Sequence, residues 1–285
     1  MKREMMKSKS RLAPAKINLC LHVVGKRPDG YHDLAMLMQC VALYDRVAVS
    51  LRSEGKITVD CPGLDLQPGV DNLAARAAHL LFDHVGIDTG AAISIDKQIP
   101  AAAGLGGGSS DAAAVLLLLD ELLELHLPCH ELMQLGQQLG ADVPFFLFRK
   151  TAWATGVGEV LHPWPGLPPL WLVLVNPRIA VPTALVFQSL RLTHPRSEDK
   201  IPRFPVRIDE VVRLLHNDLE AVTCQLYPIV DEIKAKLLAA GAAGALMSGS
   251  GATVFGLFDS QCAADRAANA LADGTGWWTV AVSTC

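Results

Sequence analysis

Between Pro100 and Ala114 the chain reads PAAAGLGGGSSDAAA, with glycine at positions 104, 106, 107 and 108. The alternating pattern AAISIDKQI leads into it and the helix formers of SSDAAAVLLLLDELLEL lead out, so the glycines join the end of a strand to the start of a helix. Such backbone gathers N–H groups and the positive end of a helix dipole at one point, an arrangement suited to phosphate oxygens. One or two glycines would serve a tight, closely packed turn; four of them, followed by Ser109 and Ser110, favour anion binding. A P-loop needs a lysine directly after its glycines, and none stands here. A dinucleotide fingerprint needs glycine or alanine where Ser109 stands, and it normally follows the first strand of its unit, whereas several elements precede this loop. The loop is a different design.

The rest of the chain says how a phosphate would be held. A formal net charge of −4, from 25 Lys+Arg against 29 Asp+Glu, gives no general attraction to nucleic acid or an anionic membrane, so a polyphosphate must be bound locally. With 51% apolar and 19% charged residues over 285 positions, the chain is globular and long enough for two domains. The seven cysteines are scattered and form no C-x-x-C pair, which argues against a disulfide framework or a zinc site and predicts a reducing, cytoplasmic setting. The basic start, MKREMMKSKSR, leads into strand-like sequence rather than a signal peptide; a frayed tail without a role is expected there.

Sheet opens the chain in AKINLCLHVV, DRVAVSLR and KITVDC, and DNLAARAAHLLFDHVG predicts a capped helix from Asp71 to Gly86. After the glycine loop two helices follow, the second stopping at Gly140, and ADVPFFLF predicts a new extended segment. PWPGLPP, residues 163–169, marks a boundary, which gives domains 1–165 and 166–285. In the later part LWLVLVNP, helices from about Thr183 and near Ile208 and Ile229, GAAGALMSGSGATVFGLF, a helix from Ser260 and WWTVAV alternate as in a compact α+β layer.

The pattern P-x-x-x-G-L-G-G-G-S-S-D-A-A-A resembles the phosphate loop of the GHMP kinases, and APAKINLCL and GALMSGSGATVFGLF sit where that family has its outer motifs. The resemblance implies an α+β, two-domain fold, with an N-terminal nucleotide-binding domain like ribosomal protein S5 domain 2 and a ferredoxin-like C-terminal layer. PAKINLCL, RPDGYHDL, GADVPFFL and VPTALVF are similar to the branch of the family that phosphorylates an alcohol bearing a cytidine diphosphate group, in the non-mevalonate isoprenoid route. It implies a small-molecule kinase that uses ATP and Mg²⁺, as a monomer or homodimer, with no nucleic-acid or membrane partner. Where several relatives have further glycines this loop carries Ala101, Ala102 and Ala103.

Phosphoryl transfer to an alcohol needs a group that takes or orients the hydroxyl proton and stabilisation of the transferring charge. Asp142 precedes Pro144 on a short connection; alone, it reads more readily as a turn or capping aspartate. Lys16 lies in an apolar strand, where it either faces outward on an edge or meets a carboxylate. The resemblance implies Asp142 as base and Lys16 as its electrostatic partner, with Asn18 on the same strand face at the substrate or the pair. It implies ATP along Pro100, Ala101, Ala102, Ala103, Gly104, Leu105, Gly106, Gly107, Gly108, Ser109 and Ser110, with Asn72 and Lys97, which as residues read as a helix start and a solvated lysine, near the adenosine. The two serines, which as residues read as helix caps, could approach Mg²⁺; the metal's ligands stay open, and Asp111 carries no catalytic role. Tyr31 and His32 follow a Pro-Asp-Gly turn, and Phe187 reads on spacing as a core residue of an amphipathic helix; the resemblance implies that Tyr31, His32 and Phe187 hold the cytidine and that Ser248, in SGSG, closes over the diphosphate. A mevalonate or homoserine kinase on the same fold, or a nucleotide-binding protein without catalysis, are the other readings.

Overall fold

The structure is a computed structural model and describes residues 7–62, 72–191 and 207–285, so Asp71 lies outside the described residues. In chain order the strands are β1 (Ser8–Lys26), β2 (His32–Arg52), β3 (Ile57–Asp60), β4 (Gly90–Asp96), β5 (Ala152–Gly156), β6 (Val160–Pro163), β7 (Trp171–Asn176), β8 (His216–Asn217), β9 (Gly244–Met247), β10 (Val254–Phe258) and β11 (Trp278–Ser283). The helices are α1 (Leu73–Val85), α2 (Gly107–Leu123), α3 (Cys129–Leu139), α4 (Val143–Phe148), α5 (Thr183–Ser189), α6 (Ile208–Leu214), α7 (Glu220–Leu226), α8 (Ile229–Ala239) and α9 (Gln261–Ala272). Contacts divide the chain into two compact units: Met1–Ala15, Leu43–Ile99 and Gly106–Arg149 form the first, Lys16–Ala42, Pro100–Leu105 and Lys150–Cys285 the second. The long strands β1 and β2 contribute to both, so the units do not follow one cut in the sequence.

In the first unit β4 runs between β3, parallel to it with Val59 opposite Ile93, and the end of β2, antiparallel with Val47 opposite Ile95. Helix α2 buries Ala112 to Leu116, Leu118, Leu119 and Leu122, apolar around most of its girth, because α1, α3 and α4 all pack on it. Helix α1 starts at Asn72, whose side-chain oxygen accepts the Ala74 N–H at 2.9 Å, and stops at Gly86 with φ +68. The ADVPFFLF segment, expected to be extended, is helix α4. Pro144 stands in its first turn, where the missing N–H has no helical acceptor to lose, so proline starts the helix instead of breaking it. The basic start is also better ordered than expected: β1 begins at Ser8, and Lys7 pairs with Glu124 at 2.8 Å while Lys9 and Arg11 both pair with Glu121 at the far end of α2.

In the second unit β5 pairs antiparallel with β2, β6 with β5, and β8 parallel with β1. A separate antiparallel sheet has the order β11-β7-β10-β9. Its central strands are buried except at Trp171, since α8 packs on β9 and β10 and α9 on β7 and β11. Helix α9 presents Ala264, Ala267, Ala268 and Leu271 to that sheet at helical spacing, after an N-cap by Ser260. This is an α+β fold of the expected kind.

Candidate active site

In the second unit, strand β1, the first half of the glycine loop and the β9–β10 turn converge. The Lys16 N–H donates to the Leu105 carbonyl at 2.9 Å, tying the strand to the loop. Lys16 and Asn18 share a strand face, and the Lys16 ammonium donates to Asn18 Oδ1 at 2.7 Å. Asn18 Nδ2 in turn donates to the Met36 sulfur at 3.4 Å. Lys16 is only 4% exposed, which removes the outward-facing reading of this lysine. The alternation that suggested a solvated face is overridden because residues 15–21 of β1 are buried on both faces.

The turn from Ser248 to Gly251 seats on the loop. Ser248 Oγ donates to the Gly104 carbonyl at 3.0 Å and the Thr253 N–H donates to the Ala103 carbonyl at 3.3 Å. Asn217 fixes the turn from behind, with Nδ2 donating to the Met247 carbonyl at 2.9 Å and the Gly249 carbonyl at 2.8 Å. Ser248, expected over the substrate diphosphate, is here fully buried and spends its hydroxyl on the loop. Gly104 has φ +77, and a Cβ on it would stand 2.2 Å from the Ser248 carbonyl oxygen. Gly104→Ala is therefore expected to unseat the loop: the left-handed backbone alone costs about 1–2 kcal/mol in alanine, and the overlap adds to it. A lowered urea midpoint is the measurement, and an unchanged midpoint would dissolve this account of the loop. Ala102 already sits at φ +50, so the alanines do hold part of the loop in a conformation glycine would adopt more easily.

Among the aromatics, the rings of His32 and Phe187 stack with centroids 5.1 Å apart and planes 26° from parallel. Phe187 is half-buried, and Val186 is the residue that α5 buries, so Phe187 is not the core residue that spacing suggested. Tyr31 is 66% exposed at the end of the turn, where its N–H donates to Asp29 Oδ1 at 3.0 Å. Burial, with the charge of Lys26 second, lowers the His32 pKa.

The first unit continues the loop. Gly106, at φ +72, is the N-cap of α2, so the helix begins at Gly107 and the serines stand in its first turn instead of capping it. The N–H groups of Gly107, Gly108 and Ser109 thus have no acceptor within the helix. The Ser110 N–H is spent on the Gly106 carbonyl at 2.9 Å, while its hydroxyl is buried and has no hydrogen-bond partner.

Lys97, which read as a solvated lysine, is enclosed beneath this turn; a Cβ on Gly107 would stand 3.2 Å from its Nζ. Its ammonium donates to Asp45 Oδ2 and, at 2.8 Å, to Asp111 Oδ2. Asp45 also accepts the Gln98 and Ile99 N–H groups, at 2.6 and 2.9 Å. Burial alone would pull the Lys97 pKa down, but the charge of Asp111 and the hydrogen bonds of both carboxylates outweigh it, and the pKa lies above its ordinary value. Asp111 has the opposite balance: one oxygen is unpartnered, two carboxylates share one ammonium, and burial pushes its pKa from 3.8 to about 7 against the pull of Lys97. A carboxylate that keeps its proton in the folded state, after the unfolded chain has lost it, makes stability fall as pH rises from 3.8 to about 7. Asp111→Asn should remove that slope, read from urea unfolding at about pH 5 and about pH 8; an identical slope in the variant would contradict the assignment. Asn72 uses its side-chain oxygen as the α1 cap, as above.

Asp142 is the N-cap of α4 at φ −84, half-buried, and its side chain makes no capping hydrogen bond, so the capping reading does not apply. Asp45, Asn217 and Thr253 were not singled out from sequence, and Asp111, given no catalytic role there, proves to be a partner of Lys97. Asp45 is an acid in a strand pattern and Asn217 lies in an unmarked HND; only folding gives either a partner.

A glycine-rich helix start, a buried lysine on the first strand and a turn seated on the loop define a class. The description "GHMP kinases N terminal domain" matches residues 72–150, and "GHMP kinases C terminal" matches residues 206–274. Over 271 residues the chain is 57% identical to the 4-diphosphocytidyl-2-C-methyl-D-erythritol kinase of Syntrophotalea carbinolica, covering 95% of this chain and 97% of that one. It is 53% identical to the same-named kinase of Geobacter metallireducens, covering 97% and 99%. A crystal structure of 4-(cytidine 5'-diphospho)-2C-methyl-D-erythritol kinase superposes with TM-score 0.79 at 39% identity, over 97% of this chain and 99% of that one. The chain belongs to the 4-diphosphocytidyl-2-C-methyl-D-erythritol kinase family of the GHMP kinases. A homoserine kinase from Cytophaga hutchinsonii, at 19% identity and TM-score 0.73, shares the fold. Among the described residues no helix is long and apolar enough to cross a membrane.

Proposed function

We propose that the protein transfers the γ-phosphoryl group of ATP to the 2-hydroxyl of 4-diphosphocytidyl-2-C-methyl-D-erythritol, releasing ADP and the 2-phosphate, in the non-mevalonate route. Identity of 57% over nearly the whole chain to a kinase of that name carries this reading. The free N–H groups at the start of α2 and the loop Pro100–Gly108 suit the ATP phosphates. The buried, unpartnered Ser110 hydroxyl is a hard oxygen donor that fits Mg²⁺. That ion, held with the nucleotide, neutralises charge on the phosphates. Asp142 accepts the hydroxyl proton and Lys16 stabilises the developing negative charge, with Asn18 orienting the ammonium. No covalent intermediate is needed; positioning and electrostatics supply the rate. Lys97, Asn72 and Ser109 serve the nucleotide side, Lys97 by holding the loop's base through Asp45 and Asp111. Tyr31, His32 and Phe187 take the cytosine, and Ser248 acts by holding Gly104.

Mevalonate and homoserine lack a nucleobase and would leave this aromatic group without a ligand, and a protein without catalysis would have no use for Asp142. An ADP-release assay with the cytidylylated erythritol, mevalonate and homoserine compared side by side tests the proposal; absence of turnover with the first refutes it. Phe187→Ala should raise KM for the cytidine substrate by the equivalent of roughly 1–3 kcal/mol per stacked base, with KM for ATP unchanged. An unchanged substrate KM, in Tyr31→Ala as well, would remove the aromatics from base recognition.

A further inference from the structure

Strand β8 is only two residues long, yet it brings a second group of side chains together. Cys20 stands opposite His216 and Leu21 opposite Asn217, and the Asp218 N–H donates to the Leu21 carbonyl at 3.0 Å. Strand alternation therefore puts His22, His216 and Asp218 on one face, while Asn217 points the other way to the Ser248–Gly251 turn. The rings of His22 and His216 stack with centroids 4.6 Å apart. His216 Nε2 is 2.6 Å from Asp218 Oδ1, and Asp218 Oδ2 accepts the Val23 N–H at 2.8 Å, which anchors the carboxylate. One ligand atom from each of the three lies within 4.8 Å of the others, and all three residues are half-buried. Of the three, His216 also lines a cavity of about 630 Å³ beside Glu220, Cys224 and Lys234.

We propose that His22, His216 and Asp218 bind one divalent first-row cation of the zinc type, separate from the Mg²⁺ of phosphoryl transfer. Two imidazoles and a carboxylate suit such an ion, whereas Mg²⁺ favours oxygen donors alone. Bonds of about 2.0–2.1 Å at tetrahedral angles place ligand atoms about 3.4 Å apart. The bonded His216–Asp218 pair therefore opens slightly and the widest separation closes, movements within the reach of side-chain rotation. The cation replaces the proton shared between His216 Nε2 and Asp218 Oδ1, that proton passes to solvent, and the fourth position is left to water. Cys20, though on the same face, is not in the group whose ligand atoms lie within 4.8 Å of one another.

Titration of the chelator-treated full-length protein with Co²⁺, followed by visible absorption, tests this. The first equivalent should give d–d bands without a thiolate charge-transfer band. His22→Gln and His216→Gln, each with a wild-type circular dichroism spectrum, should weaken that binding at least ~10-fold, and Zn²⁺ should raise the melting temperature of the wild type more than that of either variant. No stoichiometric uptake, a thiolate band on the first equivalent, or uptake that survives both substitutions would overturn the site.

Discussion

Asp142→Asn is expected to lower kcat at least ~10²-fold, the scale of general acid-base assistance, while leaving ATP binding in place. Each tenfold corresponds to about 1.4 kcal/mol of lost transition-state stabilisation. Asparagine keeps the shape of the side chain and its place at the head of α4, so the fold should hold; Val143, Pro144 and Phe145 behind it are buried and unaltered. What is lost is the ability to accept a proton. ATP binding persists because the donors that suit its phosphates belong to Gly107, Gly108 and Ser109, on a different helix. Stopped-flow or steady-state kcat, with KM for ATP measured alongside, reads both halves of the expectation. Lys16→Met should lower kcat as well, and if the two groups act as a unit the double variant will be little worse than the single ones. Wild-type turnover in Asp142→Asn would remove this residue from the mechanism.

The parts of this site that were legible in sequence are those whose chemistry is local. Gly104, Gly106, Gly107 and Gly108 announce a sharp strand-to-helix turn because the positive φ found at Gly104 and Gly106 is open to that residue type. Helix α1, with Asn72 before it and Gly86 after it, is likewise set by neighbours in the chain. Helix α4 departs from the expected extended segment because its proline stands in a first turn, where it is tolerated. Lys97 was misread for a different reason. Its partners lie 52 and 14 positions away, and no periodicity encodes an ion network assembled from β2, the residue after β4, and α2. The same holds for Asn217, whose hold on Met247 and Gly249 joins segments about 30 residues apart.

That ion network carries the largest expected effect on stability. Asp45 is fully buried, and Asp45→Ala would leave the Gln98 and Ile99 N–H groups unsatisfied and deprive Lys97 of one of its two carboxylates. Breaking a buried pair by removing one partner typically costs about 3–5 kcal/mol, against a total stability on the order of 5–15 kcal/mol for a native protein. The loss should appear as a lower urea midpoint at unchanged m. It should be smaller in Asp45→Asn, whose carbonyl can still accept both backbone N–H groups but turns an amide toward the ammonium. Because Gln98 and Ile99 are the residues by which β4 enters the glycine loop, the damage should reach function too, as a raised KM for ATP with kcat less affected. The charge of Asp45 is also one of the causes that raise Asp111. Asp45→Asn should therefore draw the Asp111 pKa back toward its ordinary value and flatten the loss of stability below pH ~7. A loss under about 1 kcal/mol in Asp45→Ala would mean that the backbone holds this strand end without the network.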